Sequence, residues 1–218
     1  MRKLATIRQG WNLLSHLGMF WRLHQVGRIL LVPFDQLLDY LPRQGRVMDL
    51  GCGHGLFLAL AKKEKTQLQV IGIDLSEEKI AGARLLFNTA GTVGRLAVAD
   101  IADFPRETVD AISMIDVLYL VPIEQWDRIL SNCYRCLKPG GTLLLKEMDR
   151  TITWKFALLY FEETLAVKIL GLTLGKQFTF PKPKEIRRRM ESAGFAVQEI
   201  PLHAGYFVPH QLWLGTKQ

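Results

Sequence analysis

The chain has 218 residues, of which 49% are hydrophobic, and it carries a formal net charge of +7. This length fits one domain, with or without a cap, and is enough to bury a sizeable core. No stretch approaches the ~20 consecutive apolar residues that a membrane span needs, so no transmembrane helix is expected.

The three cysteines indicate a cytoplasmic protein. Cys52, Cys133 and Cys136 are odd in number, which favours free thiols in a reducing compartment. The basic start is followed by interspersed polar residues, so a cleaved signal peptide is not expected. Cys133 and Cys136 have the spacing of a metal or redox pair, but they fall in a predicted helix and lack a second pair, so no metal site is predicted.

The positive charge lies at the two ends of the chain. Residues 1–46 hold seven Arg or Lys against two Asp, whereas residues 47–150 carry −2 and residues 151–218 carry +4. Basic flanks suit anionic lipid head groups, an acidic acyl-carrier protein or RNA phosphates, or they are only a solvated surface. Peripheral membrane association is therefore an expectation that this charge leaves open.

Two helices are predicted in residues 4–42. Apolar residues recur at helical spacing in the first: Leu4, Ile7, Trp11, Leu14, Leu17 and Trp21. The second runs from Val26 to Leu41 and is interrupted by Pro33. We interpret residues 1–45 as a helical lid on the domain, and because aromatic residues beside Arg also suit a bilayer interface, membrane contact is a second interpretation.

A glycine-rich turn organises the next part of the chain. The apolar strand Arg46–Leu50 carries Asp49 near its end and is followed by a turn that contains Gly51, Cys52, Gly53 and Gly55. Such glycines let a ligand approach the backbone at the start of the helix 56–65. Leu56 takes the place of the third glycine of a dinucleotide turn, and Asp49 would repel a pyrophosphate, so a cationic ligand is favoured over NAD.

The following strands also end in acids. Asp74, with Leu75 after it, lies 21 residues after Gly53 at the end of strand 69–74, where an acid is placed to accept ribose hydroxyls. Asp74 could instead cap the helix that follows it. Ser76 can take that role, which would leave the Asp74 carboxylate available for a ligand. Asp100 and Ile101 follow strand 95–99. The Asp100 carboxylate can accept a hydrogen bond from an exocyclic amine, and Ile101 can pack against a flat base. Asp116 follows strand 109–115, and the turn Leu137–Gly141 precedes strand 142–146.

These landmarks, in this order over residues 46–147, resemble the class I S-adenosylmethionine-dependent methyltransferases. The resemblance implies that the glycine turn and the Asp116 backbone meet the methionine part of the cofactor, Asp74 the ribose, and Asp100 with Ile101 the adenine. The resulting set of cofactor-binding residues is Asp49, Gly51, Cys52, Gly53, Gly55, Asp74, Leu75, Asp100, Ile101 and Asp116.

The resemblance also implies a Rossmann-like α/β fold. Seven strands, mostly parallel with an antiparallel last strand, would have helices on both faces. Residues 46–150 would be the cofactor-binding core, 151–182 a helical substrate cap, and 183–218 the helix and two strands, 196–200 and 210–215, that complete the sheet. The lid and the cap together are expected to form the acceptor pocket.

The acceptor is predicted less directly. The segments 154–175 and 206–213 resemble, loosely, bacterial methyltransferases found beside fatty-acid, polyketide-like or aryl polyene pathways, which favours O-methylation of a small apolar or aromatic acceptor, carrier-bound or lipid-like. Candidate catalytic residues are His210, Glu147, Asp149 and Tyr119. His210 either faces the carboxyl edge of the sheet or lies at the surface. The alternatives are an RNA methyltransferase, which the absence of an added RNA-binding module argues against, and a non-enzymatic cofactor-binding scaffold.

Overall fold

A computed structural model describes residues 2–14, 19–148, 182–202, 205–206 and 209–218. The predicted cap at 151–182, apart from its last residue, and the catalytic candidate Asp149 lie outside these ranges. The described helices are α1 (Arg2–Leu13), α2 (Met19–Leu31), α3 (Phe34–Leu37), α4 (Leu56–Glu64), α5 (Glu77–Thr89), α6 (Trp126–Cys136) and α7 (Pro183–Ser192). The strands are β1 (Gly45–Leu50), β2 (Leu68–Asp74), β3 (Arg95–Val98), β4 (Val109–Ile115), β5 (Leu137–Met148), β6 (Phe195–Pro201) and β7 (His210–Lys217).

The strands form one seven-stranded sheet in the order β3-β2-β1-β4-β5-β7-β6. The five strands from β3 to β5 are parallel, and β7 runs antiparallel to both β5 and β6. The predicted fold class is confirmed. β1 and β4 are adjacent, and β2 and β3 lie on the other side of β1. The chain therefore reverses its winding direction between β1 and β4. Ligands bind at such a switch point, at the carboxyl ends of the strands.

Helices cover both faces of the sheet, as predicted. On one face, Val47, Val70 and Ala111 pack under α4, α5 and the N-terminal helices. On the other face, Met48 and Ile112 pack with residues of α6 and α7. Successive strand residues point to opposite faces, so the central strands carry apolar residues on both sides, which is typical of a parallel sheet buried on both sides.

The predicted strand boundaries agree with the structure to within one or two residues, except at β5. This strand begins at Leu137, and its register with β4 shifts between Val109 and Ala111. The predicted turn Leu137–Gly141 is therefore an irregularity inside the strand pair, opposite Asp110. A Cβ on Gly141 would lie 2.9 Å from the Lys138 carbonyl oxygen and 3.0 Å from the Asp110 carbonyl oxygen. Only glycine fits that close approach.

The predicted apolar stripe of the first helix is wrong in part. α1 ends at Leu13, and Leu4 and Trp11 are 71% and 37% exposed. The buried side of α1 instead carries Thr6, Gly10 and Leu13, and Gly10 lets Ile29 of α2 approach so closely that a Cβ would lie 2.1 Å from its Cδ1 atom. Leu14 of the predicted stripe is fully buried and Ile7 packs on the core, so hydrophobic spacing identified part of the buried side and missed the contact through Gly10.

The second N-terminal helix begins earlier than predicted. α2 spans Met19–Leu31, and Pro33 separates it from the short helix α3. Among the residues that the structure describes, no helix combines the length and the hydropathy needed to cross a bilayer.

Two glycine substitutions should have opposite effects on stability. We expect Gly141→Ala to lower the free energy of unfolding by about 1–3 kcal/mol, because a methyl group would contact two backbone oxygens. Gly27→Ala, in the interior of α2 where a Cβ meets no described residue within 4 Å, should raise it by about 0.5–1 kcal/mol. Urea unfolding of both variants measures the difference; equal effects would contradict this account of Gly141.

Candidate functional site

The glycine turn after β1 has the backbone shape that the sequence predicts. Gly51, Gly53 and Gly55 have φ values of +79°, +55° and +73°, which favour glycine. The N–H groups of Gly51 and Cys52 both donate to the Ile73 carbonyl oxygen of β2, at 2.7 and 2.9 Å. Among the residues that the structure describes, a Cβ on Gly53 would meet only Arg28 Nη1, at 3.7 Å, so this part of the chain leaves room for a ligand there.

Asp49 lies buried beside that turn. Its Oδ1 accepts a hydrogen bond of 2.6 Å from Ser113 Oγ of β4, and its side chain is 3% exposed. Burial raises the pKa of Asp49 to about 7, with a smaller increase from the Asp74 charge, although the Ser113 hydrogen bond and the Arg28 charge lower it. The carboxyl group thus titrates near neutral pH, where a bound cation would favour its charged form.

Asp74 joins the glycine turn to the start of α5. Its Oδ2 accepts the Gly53 N–H at 2.8 Å, and its Oδ1 accepts the Ser76 N–H at 2.9 Å. Ser76 caps α5 by accepting the Lys79 N–H at 3.3 Å, as predicted. The expectation that Asp74 is available because Ser76 caps the helix is wrong, because both carboxylate oxygens already bind backbone N–H groups. Each oxygen has a second lone pair, so ribose binding stays a prediction.

The predicted adenine-side residues lie next to Asp74. The Ala99 N–H donates to the Asp74 carbonyl oxygen at 3.1 Å, which places the end of β3 beside the end of β2. Asp100 is exposed, and its Oδ1 accepts the Ala102 N–H at 2.8 Å. Ile101 is buried, whereas Leu75 is 54% exposed. An exposed apolar side chain and an exposed carboxylate at the same edge suit a flat heterocycle with an amino group.

Asp116 occupies an unusual place at the end of β4. Both of its carboxylate oxygens lie 2.6–2.7 Å from Lys146 Nζ of β5, and the Lys146 side chain is fully buried. Burial alone would raise the pKa of Asp116, but Lys146, with smaller contributions from His210 and Arg28, holds it below its ordinary value. Asp116 therefore stays ionised in a partly buried position, with 14% of its side chain exposed.

The structure brings three of the four catalytic candidates to this region. His210 is 2% exposed, so the surface position that the sequence allowed is wrong; its Nε2 lies 2.6 Å from the Leu31 carbonyl oxygen. Glu147 is buried and its Oε1 accepts the Leu118 N–H at 3.0 Å, and Tyr119 is also buried. The catalytic roles of these residues stay predictions.

Sequence reasoning missed two residues of α2 that face the glycine turn. Arg28 is close enough to affect the pKa values of both Asp49 and Asp116. Gln25 Nε2 lies 3.1 Å from His54 Nδ1 inside the turn, and both side chains are buried. Their spacing of three residues puts them on one side of the helix, but the predicted helix began at Val26, and Arg28 was counted only as part of a basic flank.

Two other features are separate from this site. A cavity of about 480 Å³ at the amino edge of the sheet is lined by Arg46, Lys62 and Arg95, but these cations already bind Gln69, backbone carbonyls and Glu107. Cys133 and Cys136 are buried in α6, and burial raises the pKa of both thiols, which opposes redox reactivity. No cluster of potential metal ligands occurs in the described part of the chain.

Residues 22–200 match the sequence profile of a methyltransferase domain. The chain is a class I S-adenosylmethionine-dependent methyltransferase. It is 29% identical to a ubiquinone biosynthesis O-methyltransferase of Idiomarina loihiensis over 88% of this chain and 77% of the relative. It is 30% identical to the enzyme of that name from Xanthomonas axonopodis over 73% of this chain and 66% of the relative.

Solved structures support the methyltransferase fold. The apo form of the S-adenosylmethionine-dependent methyltransferase SibL has a TM-score of 0.71 and 20% identity, covering 99% of this chain and 68% of SibL. A mycolic acid cyclopropane synthase complexed with SAH has a TM-score of 0.69 and 16% identity, covering 88% of this chain and 85% of that one.

The residues of this methyltransferase fit its cofactor. S-adenosylmethionine carries a sulfonium, an ammonium and a carboxylate and has no phosphate. Asp49, Asp74 and Asp116 supply acids around the open side of Gly53, and Arg28 supplies a cation that can pair with a carboxylate. The same arrangement of acids would be unfavourable for a pyrophosphate.

The raised pKa of Asp49 predicts that its negative charge destabilises the folded protein but strengthens cofactor binding. The folded protein keeps the proton on the Asp49 carboxyl group up to a higher pH than the unfolded chain does, because the pKa of this group in the unfolded chain is 3.8. Stability from that protonation is present below about pH 4 and lost as the pH rises through about 7. Asp49→Asn should therefore stabilise the unliganded protein by about 2–4 kcal/mol at pH 8 and by much less at pH 5.

The same variant should bind S-adenosylmethionine at least about tenfold more weakly at pH 8, since it lacks the carboxylate charge. Thermal unfolding at both pH values, together with calorimetric titration, measures the two effects. Asp103→Asn, at a carboxylate 81% exposed, is the control and should change neither quantity. Equal stabilisation by Asp49→Asn at both pH values would overturn the assignment.

Proposed function

We propose that this methyltransferase transfers the methyl group to a hydroxyl oxygen of a small aromatic or apolar acceptor, carrier-bound or lipid-like. The relatives named ubiquinone biosynthesis O-methyltransferase support this proposal, because they match most of the chain. A hydroxyl acceptor needs a group that takes its proton, and the observation that carries the proposal is the buried imidazole of His210 beside Asp116.

The hydrogen bond of His210 defines which nitrogen is basic. Nε2 lies 2.6 Å from the Leu31 carbonyl oxygen, which only accepts, so Nε2 carries the hydrogen in the neutral ring. Nδ1 is then the nitrogen with the lone pair. The charges of His210 and Asp116 interact, since His210 contributes to the lowered pKa of Asp116, and the carboxylate can therefore stabilise a positive charge on the ring.

S-adenosylmethionine supplies an electrophilic methyl carbon bonded to a sulfonium. The chain's own residues hold the acids and the glycine turn in place, exclude water and receive the proton. In the proposed reaction a C–O bond forms, the S–C bond breaks, and the acceptor's hydroxyl proton passes to His210. The lid contributes to water exclusion because Gln25 and Arg28 of α2 reach the glycine turn.

His210→Ala should lower kcat about 10²–10⁴-fold and leave the Kd for S-adenosylhomocysteine nearly unchanged, because it removes a base and no cofactor contact. The assay incubates the protein and S-adenosylmethionine with a panel of catechols, phenols and long-chain hydroxy compounds, and mass spectrometry detects the methyl ether. Tyr206→Phe is the matched control. It removes the neighbouring hydrogen bond from Tyr206 to Asp35 of the lid but no base, and should retain most activity.

A tRNA substrate is the rival outcome of the same assay. The chain is 29% identical to a tRNA N(3)-methylcytidine methyltransferase of Schizosaccharomyces pombe, but over only 54% of this chain and 42% of that enzyme. Methylation of total tRNA without methylation of any hydroxyl compound would overturn the proposal. Binding of the cofactor without turnover on either panel would favour the scaffold alternative.

The outer side of α1 suggests how a lipid-like acceptor is reached. Leu4, Arg8 and Trp11 are exposed at spacings of four and three residues, and the Arg22 guanidinium lies 3.8 Å from the centre of the Trp11 ring. We propose that this stripe, within a segment of net charge +5, contacts an anionic lipid surface.

Vesicles of phosphatidylcholine with phosphatidylglycerol test this contact. We expect the protein to float with these vesicles, and Leu4→Ser with Trp11→Ser to reduce the bound fraction about fivefold or more, because two inserted side chains are lost. Leu85→Ser, at a leucine of α5 that is 48% exposed, is the control. No flotation of the unaltered protein, with capture of an acidic carrier protein instead, would contradict the lipid assignment.

A further inference from the structure

Lys146 is a charged residue in a position that a charge rarely occupies. It lies inside the sheet on β5, paired in register with Ile115 of β4 and Leu212 of β7, and its side chain is fully buried. Burial lowers the pKa of Lys146, although Asp116 and Glu147 oppose that change. A buried ion pair is often no more stabilising than a pair of apolar residues of the same size, so stability alone does not explain this lysine.

The lysine holds Asp116 at three points. Lys146 Nζ lies 2.7 Å from Oδ1 and 2.6 Å from Oδ2 of Asp116. The Asp116 N–H donates to the Lys146 carbonyl oxygen at 2.9 Å. One residue of β5 therefore binds both the backbone and the side chain of the residue that follows β4.

The backbone of Asp116 needs such support. It is the one non-glycine residue with positive φ in the described ranges, at +53°. This left-handed conformation is unfavourable for most side chains and persists where surrounding contacts fix it. The bidentate contact with Lys146 fixes the direction of the side chain, and the backbone hydrogen bond to the same residue holds the turn.

The turn that begins at Asp116 forms a wall of the cofactor site. Val117, the next residue, packs on the glycine turn so closely that a Cβ on Gly51 would lie 2.4 Å from Val117 Cγ2. The Leu118 N–H is held by Glu147 of β5. Two consecutive residues of β5 thus determine where the chain after β4 meets the glycine turn.

We propose that Lys146 is a positioning residue for the amino-acid end of the methyl donor, and that it acts through Asp116. The lysine keeps Asp116 ionised and its turn in the left-handed conformation, so that this wall presents carboxylate and backbone oxygens to the donor's ammonium group. The adenosine end lies against Asp74 and Asp100 and does not depend on Lys146.

The two ends of the donor can be tested separately. S-adenosylhomocysteine contains the amino-acid part, whereas 5′-methylthioadenosine contains the adenosine and lacks it. We expect Lys146→Met to raise the Kd for S-adenosylhomocysteine about tenfold or more and to change the Kd for 5′-methylthioadenosine less than about twofold. A general loss of structure would weaken both ligands alike.

Lys138→Met is the matched control. Lys138 lies on the same strand and also pairs with an aspartate, since its Nζ is 2.6 Å from Asp110 Oδ1, but it is exposed at the opposite edge of the sheet. This variant should leave both Kd values unchanged. An equal effect of the two lysine variants would overturn the proposal.

A double variant shows whether Lys146 acts through Asp116. Asp116→Asn alone should weaken S-adenosylhomocysteine, and Lys146→Met with Asp116→Asn should bind no more weakly than Asp116→Asn does. If Lys146→Met alone does not fold, the comparison of the double variant with Asp116→Asn replaces it, because the double variant leaves no unpaired charge in the sheet. Additive effects of the two substitutions, or equally weakened binding of both ligands, would contradict the proposal. The cofactor assignment would not be affected, because it depends on the Kd values of the wild-type protein.

Discussion

The structure depends on keeping carboxylates at a sheet edge that is largely closed to water. An ionised acid in such a place is costly unless another group pairs with it or donates to it. The chain meets this requirement with partners from neighbouring strands: Ser113 of β4 for Asp49 of β1, and Lys146 of β5 for Asp116 of β4. Asp74 of β2 is held by the glycine turn itself. Each acid is therefore placed by an element other than its own.

This arrangement explains why the acids differ in charge state although they share one site. Asp116 faces a buried ammonium and stays ionised, whereas Asp49 accepts a hydrogen bond from a hydroxyl, has no directly paired cation among the described residues and has a pKa of about 7. One acid is a permanent charge and the other responds to its ligand. A cation that enters beside Asp49 favours the charged form that burial disfavours, so the charge state of this acid near pH 7 depends on its ligand.

The fold and the positions of the acids could be predicted from the sequence, because both follow from local pattern. Strands and helices alternate along much of residues 46–147, one glycine turn follows the first strand, and parallel strands bring their carboxyl ends to one edge. The partners of the acids could not be predicted. Lys146 follows three leucines in a strand and has no local signal that it pairs with a residue thirty positions earlier. Gln25 was missed because the start of α2 was placed at Val26, and Arg28 was missed because it was counted only as part of a basic flank. The exposure of Leu4 and Trp11 was misjudged because α1 contacts α2 through Gly10 and not through a large side chain.

The contacts of the lid have a consequence for the order in which the chain can fold. Lys3 Nζ lies 2.7 Å from the Gly205 carbonyl oxygen and 3.7 Å from the Tyr206 ring centre, and Tyr206 also donates to Asp35. Lys3 and Asp35 are synthesised before Tyr206 and before His210, whose ring binds the Leu31 carbonyl oxygen. The N-terminal helices are therefore made before the residues that hold them in place. Until residues 205–210 are synthesised, α2 lacks these contacts, and the helix that brings Gln25 and Arg28 to the glycine turn is not yet fixed there.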